Sequence, residues 1–392
     1  MSSGVAHAQP PPADLSPARD GVKGTSDLGS SSWSVRLGLA CWGSCGRDVD
    51  EGRMTTNKNL KRRVRTRAAK TGESYAAALR HVRPAQQGGM MPEVNLVRLA
   101  TAQVVVREDP GDREQLRQSC RDVRELMRQA HGSGARIIHF PEGATCSPHK
   151  RIMSVTGSAE VGPADWGRAD WQVLREELTA IARLADELRL WTVVGSVHPL
   201  TPPHQPHNSV YVISDQGELV TRYDERLLSN TKLSFMYTPG SGPVAFKVDG
   251  LRFGCAVGIE VHFPEVFAEY ERLDVDGVLF STTGPGQSAD ASAAFAAEAQ
   301  AHAATNSLWV SFAMCAQHSV AAPAGTIAPD GHWAGRCPGD GQPAVAIADI
   351  DNRPESIDIA ITRARPWRRQ VRAGVYDAHL VTDSRSDDRG AF

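Results

Sequence analysis

Residues Leu251–Ser281 read LRFGCAVGIEVHFPEVFAEYERLDVDGVLFS. An apolar run enters a tight turn at Gly258, the tripeptide Phe263-Pro264-Glu265 follows, and a helix-compatible segment leads into a second apolar run at 278–280. Short apolar runs bounded by turn signals are typical of buried strands. The stretch therefore predicts a strand, an elbow, a helix and a second strand. In folds that perform nucleophilic chemistry, an elbow of this kind holds the attacking side chain over the pocket.

The remainder of the chain alternates strands with helices. Asp109-Pro110-Gly111-Asp112 opens a helix whose apolar residues step by three or four positions and therefore share one face. The predicted strands are 97–104, 136–140, 191–197, 208–214, 219–223, 308–313 and 344–350, and the further helices are 171–188 and 291–304. This alternation predicts an α/β layered domain in which ligands gather at the carboxyl ends of strands.

Composition narrows the class of protein. The chain has 392 residues, of which 41% are hydrophobic and 22% charged, so it can bury a substantial core. A net charge of -2 gives no general attraction for nucleic acid or membranes. Seven irregularly spaced cysteines indicate a reducing, cytoplasmic compartment. We expect no membrane span and no signal peptide, because the apolar runs are too short.

Three regions differ in character. Residues 1–89 form an arm rich in Pro, Ser and Gly at its start, which we expect to be mostly disordered, with a basic helical segment at 58–81. Residues 94–352 carry the regular strand and helix pattern. Residues 353–392 form a basic and polar tail, which we expect to pack onto a partner subunit or to lie free.

Several short motifs occur in order along residues 94–352. Phe140-Pro141-Glu142 follows the second strand, Asn208-Ser209 opens the fourth, and Phe263-Pro264-Glu265 follows the elbow. In this order they resemble the landmarks of the carbon–nitrogen hydrolase (nitrilase) superfamily. The resemblance implies a four-layer αββα sandwich that assembles into a homodimer or a larger homo-oligomer. It also implies hydrolysis of small amides, ureido compounds or nitriles by a Cys–Glu–Lys triad, without metal or cofactor.

The resemblance places the triad on specific residues. Glu142 falls on the glutamate, which takes the thiol proton and activates water. The position of the nucleophilic cysteine falls on Gly258, and that of the lysine falls on Glu225. An acidic residue that family members often carry about seven positions later falls near Lys232. The pattern therefore suggests an exchanged pair, in which Lys232 supplies the positive charge from the other side of the site.

Other side chains near the elbow and the strand ends are candidates for function. Cys146 lies on the loop after Glu142 and is the preferred replacement for the missing thiol, ahead of Cys315. Cys255 precedes Gly258 by an odd number of residues on a strand, so it should point away from the pocket. Two polar residues belong to the elbow itself, where they either line the pocket or bond the turn and face solvent: Glu260 and His262.

Three functions remain open on the sequence. The first is a carbon–nitrogen hydrolase with Glu142 as general base and an unusual nucleophile or a water attack. The second is a catalytically inactive member of that family that binds a small ligand or a partner protein in the old pocket. The third is a regulator that contacts nucleic acid through 58–81, against which a solvated basic arm is the preferred interpretation.

Overall fold

The computed structural model describes residues 96–286, 289–353 and 358–387. The strands are β1 (Leu96–Val104), β2 (Ile137–His139), β3 (Trp191–His198), β4 (His207–Ile213), β5 (Leu219–Asp224), β6 (Ala245–Val248), β7 (Leu251–Val257), β8 (Gly277–Ser281), β9 (Trp309–Cys315), β10 (Gly325–Ile327), β11 (Trp333–Arg336) and β12 (Ala344–Asp351). The α-helices are α1 (Arg113–Gly132), α2 (Trp171–Leu188), α3 (Asn230–Phe235), α4 (Pro264–Arg272), α5 (Ala289–Asn306), α6 (Arg365–Arg372) and α7 (Ser384–Asp387). Short 3₁₀ turns occupy Trp166–Arg168, Gly258–His262, Ala316–His318 and Asp377–His379, and a π-helical turn occupies Ala360–Ala364.

Within the described ranges the strands form two mixed sheets. The first runs in the order β5-β4-β3-β2-β1-β12, and the second in the order β6-β7-β8-β9-β10-β11. A short parallel pairing of Gln103 with Met314 and of Val104 with Cys315 joins β1 to β9. Parallel neighbours such as β1 and β2, or β7 and β8, place their carboxyl ends at one edge, where loops can meet.

Three apolar layers hold the sheets and helices together. Between the sheets, a buried cluster takes residues from both, including Leu99, Val193, Phe253 and Leu279. A second cluster lies between the first sheet and helices α1 and α2, and a third lies between the second sheet and helices α4 and α5. The order helix, sheet, sheet, helix is the four-layer αββα sandwich predicted above. Among the described helices, none has the length and apolar character required to cross a bilayer.

Local sequence signals explain the main elements. The Asp112 side chain accepts hydrogen bonds from the amides of Glu114 and Gln115 and so caps α1, as its place before the apolar helical face predicts. β4 and β5 pair antiparallel across the turn at 214–218. The quoted stretch forms β7, a 3₁₀ turn, α4 and β8, which confirms the predicted strand, elbow, helix and strand.

Part of the tail forms a helix. Arg365–Arg372 is helix α6, several of whose arginines bind groups of the same chain. Arg365 donates to the carbonyl of Val275 and pairs with Asp276, while Arg369 and Arg372 pair with Asp274. These arginines of the basic tail therefore form ion pairs with acidic residues of the same chain, which follow α4. The predicted arm 1–89 and its basic segment 58–81 lie outside the described residues.

A prediction concerns Gly195 on β3. A Cβ built on this residue would lie 2.8 Å from the amide nitrogen of Gly143 and 2.9 Å from the Cα of Glu142, both backbone atoms. We expect Gly195→Ala to lower the free energy of unfolding by about 1–3 kcal/mol, because the loop that carries Glu142 must move. Gly132→Ala is the control, since a Cβ there meets nothing within 4 Å. Chemical denaturation measures both, and equal stability of the two variants would contradict the close approach.

Candidate functional site

A cavity of about 740 Å³ opens at the carboxyl ends of the parallel strands. Glu142 follows β2 and Gly258 follows β7, so both residues reach its wall. Lys232 comes to the same wall from helix α3. Glu225 follows β5 and lies immediately behind this wall, fully buried. The structure therefore brings together four residues that the sequence analysis had named, although they are spread over more than a hundred positions of the chain.

The carboxylate of Glu142 is held by four donors. One oxygen accepts from Lys232 Nζ at 2.5 Å and from the side-chain amide of Asn208 at 2.8 Å. The other accepts from the backbone amide of Thr283 at 3.2 Å and from its hydroxyl at 3.3 Å. Asn208 and Thr283 were not predicted as site residues, although Asn208 belongs to a motif that the sequence analysis used as a landmark.

Lys232 joins the two glutamates. Its Nζ lies 2.7 and 3.0 Å from the carboxylate oxygens of Glu225, and the amide of Asn208 also donates to Glu225 at 2.6 Å. The predicted exchanged pair of Glu225 and Lys232 is therefore an ion pair in direct contact. A lysine between two carboxylates compensates the cost of burying them better than either single pair would.

Gly258 leaves room for this ion pair. A Cβ built on Gly258 would lie 2.5 Å from Glu225 Oε1 and 3.0 Å from Lys232 Nζ. Its φ of +60° also belongs to the left-handed region, in which a side chain is strained. The space in which a side chain of residue 258 would begin is therefore occupied by the Glu225 carboxylate. Glycine fits both this backbone conformation and the position of the carboxylate, whereas a side chain at 258 would require Glu225 to shift.

Burial and charge move the three ionisation equilibria apart. Burial raises the pKa of Glu225 to about 8, although Lys232 opposes this and Glu142 adds to it. Burial also acts to raise the pKa of Glu142, but the charge of Lys232 and the surrounding hydrogen bonds outweigh it and leave that pKa below its usual value. Burial acts to lower the pKa of Lys232, and the two carboxylates raise it instead. The hydrogen bonds to the Glu225 oxygens all come from donors, Lys232 and Asn208, which is the pattern of an ionised carboxylate paired with an ammonium.

Glu260 and His262 stabilise the elbow rather than line the cavity. Glu260 is buried and accepts from the amides of Val257 and Arg226 and from the hydroxyl of Tyr223. His262 lies within 2.6 Å of Glu298 and is 41% exposed. The alternative in which Glu260 bonds the turn and His262 faces solvent is therefore the one observed.

The cysteines reverse the predicted order of replacement thiols. Cys146 packs in an apolar cluster with Leu116 and Met153, is 2% exposed and does not line the cavity, so its preference as a replacement nucleophile is not supported. Burial raises the pKa of its thiol well above the usual value. Cys315 does line the cavity, but its thiol donates to the carbonyl of Thr283 at 3.2 Å and burial raises its pKa to about 11. Cys255 is buried between the sheets, as predicted.

Two further residues of the cavity wall had no signal in the sequence. Tyr237 is 7% exposed, and its hydroxyl makes no hydrogen bond to any residue that the structure describes. Lys150 reaches the wall from the loop after β2. In the sequence around both residues the apolar positions have no regular spacing, so the pattern did not predict which side chains face a cavity. Across the described part of the chain, no group of three or more His, Cys, Asp or Glu side chains is arranged to hold a metal ion.

A prediction follows for Glu225. The folded protein binds the Glu225 proton more tightly than the unfolded chain, so this residue favours folding below about pH 4.5 and the advantage is lost as pH rises to about 8. We expect the difference in unfolding free energy between wild type and Glu225→Gln to change by up to about 1.4 kcal/mol per pH unit within that range, in favour of the variant. Denaturation at several pH values measures it. A constant difference would contradict the raised pKa.

The sequence of this chain is similar to a known protein family and to a curated protein. The profile of the carbon–nitrogen hydrolase family matches residues 98–357. A Mycobacterium tuberculosis protein named Hydrolase MT0498 is 24% identical over 200 residues, which are 49% of this chain and 64% of that protein. This chain thus spans less than two thirds of that relative's length.

Solved structures show the same fold. A cysteine-to-alanine mutant of the amidase from Nesterenkonia sp. AN1, in complex with butyramide, superimposes with a TM-score of 0.53 and 17% identity over 72% of this chain and 99% of that chain. A glutamate-to-glutamine mutant of the same amidase, in which the acetamide moiety of fluoroacetamide is covalently added at the active-site cysteine, also gives 0.53 and 17% over 72% and 99%. Together with the profile match over most of the ordered domain, these findings establish that the chain belongs to the carbon–nitrogen hydrolase family.

Proposed function

We propose that this protein binds a small amide, ureido or nitrile ligand in the cavity and does not hydrolyse it through a covalent intermediate. The observation that carries the proposal is the contact between Gly258 and Glu225, since a carboxylate fills the space of a nucleophile's side chain. A covalent route needs an activated nucleophile at hydrogen-bonding distance from its base. The cavity beside the contact remains open, and its mixed wall includes polar groups.

The cavity wall offers partners for an amide-type ligand. Tyr237 lines the cavity, and its hydroxyl can donate a hydrogen bond to such a ligand or accept one from it. Lys232 and Glu142 keep 14% and 9% of their side chains exposed. A donor, an acceptor and a cation on one wall complement the carbonyl oxygen and the amino group of an amide or ureido ligand.

The thiol that lines the cavity does not replace the missing nucleophile. Cys315 is only 2% exposed, and its proton is directed at the Thr283 carbonyl. A pKa of about 11 leaves almost no thiolate at neutral pH. The Glu142 carboxylate, whose pKa lies below its usual value, is a weak base for removing that proton.

Binding is tested with calorimetry and ammonia release on the same panel. We expect butyramide or a ureido or nitrile analogue to bind without release of ammonia. Tyr237→Phe should weaken binding by about fivefold, which corresponds to one neutral hydrogen bond. Tyr376→Phe is the matched control, because Tyr376 is 51% exposed and lies outside the cavity wall. Equal affinity of the two variants would contradict binding at Tyr237.

A second prediction concerns restoring the nucleophile. Gly258→Cys alone should lower the free energy of unfolding by about 1–3 kcal/mol, because the new Cβ meets Glu225 at a strained φ. The triple variant Gly258→Cys, Glu225→Lys, Lys232→Glu removes that contact and returns a lysine to position 225. We expect fluoroacetamide to label the introduced thiol at least about tenfold faster in the triple than in the single variant, because an ammonium replaces the adjacent Glu225 carboxylate and so lowers the thiol pKa.

Mass spectrometry of the peptide that contains residue 258 measures this labelling. Wild type provides the background from its buried native cysteines. If the single variant were as stable as wild type and labelled as fast as the triple variant, Glu225 would not occupy the space beside Gly258.

One observation favours a second function, hydrolysis by water. A general base is most effective when its pKa lies near the working pH, and burial raises the pKa of Glu225 to about 8. Glu225 is fully buried behind the cavity wall, so in this function a water molecule must enter beside Lys232 to reach it. If Glu225 activated water, ammonia release would rise with pH to a plateau above about 8 and would fall about 100-fold or more in Glu225→Gln. Glu142→Ala would also lower it by removing a partner of Lys232. Release that is absent at every pH excludes this function for the substrates tested.

A further inference from the structure

Lys150 is a cation on the cavity wall that has no acidic partner among the residues that the structure describes. Its Nζ contacts the hydroxyl of Thr231, and no carboxylate of a described residue lies within the 4 Å of an ion pair. Lys232, the other lysine of this wall, is paired with two carboxylates. Thr231 precedes Lys232 on α3, so the two cations approach the cavity beside the same short helix.

The carboxylates of the site are already committed to other donors. Glu142 accepts on both oxygens from Lys232, Asn208 and Thr283. Glu225 is fully buried behind the wall. Glu108, which also lines the cavity, is exposed to solvent, where its charge is screened. None of the three forms an ion pair with Lys150.

The environment of Lys150 is that of an uncompensated charge. Burial and the charge of Lys232 lower the pKa of Lys150, and the charges of Glu142 and Glu225 offset this only in part. A half-buried ammonium with free donors gains most from an anion brought into the cavity, because charge-assisted hydrogen bonds are stronger than neutral ones. The cavity volume is within the range of ordinary small-molecule sites, so it has room for such a ligand.

We propose that Lys150 binds a carboxylate at the far end of the ligand, so that the preferred ligand is a small acid with an amide or ureido group at its other end. The amide end then faces Tyr237 and the exposed edge of the Glu142–Lys232 pair. This inference rests on the proposed function, because it assigns the ligand class to the same cavity.

The test compares amides that differ in a terminal carboxylate. Butyramide is neutral, whereas malonamate, succinamate and glutaramate carry a carboxylate at increasing distance from the amide. We expect at least one of the three acids to bind wild type about tenfold or more tightly than butyramide, as measured by calorimetry at low salt. Lys150→Met should remove this preference and change the affinity for butyramide by less than about threefold.

Lys247→Met is the matched control, because Lys247 is exposed on β6 and does not line the cavity. It should keep the preference of wild type. Butyramide binding as tightly as the acids, or a preference that survives in Lys150→Met, would overturn the role of Lys150 while leaving the proposed function intact. Failure of every amide to bind would instead overturn the proposed function, and this inference with it.

Discussion

The site depends on one buried ammonium group. Lys232 lies 2.5 Å from Glu142 and 2.7 Å from Glu225, and both carboxylates are almost or completely excluded from solvent. Two unpaired buried carboxylates would each carry a large desolvation cost, and removal of one partner from such a cluster is more harmful than its net contribution suggests. The ends of β2 and β5 and helix α3 are held in register by this charge. Gly258 is the fourth part of the arrangement, because a larger residue would displace Glu225.

The arrangement bears differently on covalent catalysis and on ligand binding. The fold brings Glu142, the elbow at Gly258 and a cavity together at the carboxyl ends of the strands. Glu225 and Lys232 form an ion pair there, and the Glu225 carboxylate lies against the elbow. Towards the cavity the wall retains open hydrogen-bonding groups, above all Tyr237 and Lys150. We propose that this pocket recognises an amide-type ligand without forming a covalent bond to it.

Most of the fold could be predicted, because it rests on short-range patterns. The alternation of apolar and polar residues in 251–281 determines both strands and the helix between them, and Asp112 marks a helix start by its side-chain chemistry. The family resemblance also singled out Glu225 and Lys232, and the structure brings the two into an ion pair.

The side-chain environments could not be predicted in the same way. Cys146 has the same spacing from Glu142 whether it faces a cavity or a core, and packing from α1 and other segments decides between them. Lys150 and Tyr237 lie on segments without periodicity, so only tertiary contacts bring them to the cavity. The acidic groups after α4 that bind helix α6 are likewise remote in sequence from the arginines they pair with.

The most direct measurement is a crystal structure of the full chain soaked with butyramide. The account predicts an intact amide in the cavity, with the Glu225 carboxylate still against Gly258 and in contact with Lys232. A structure in which Glu225 has turned away, and butyrate or a covalent acyl group lies at the elbow, would contradict it.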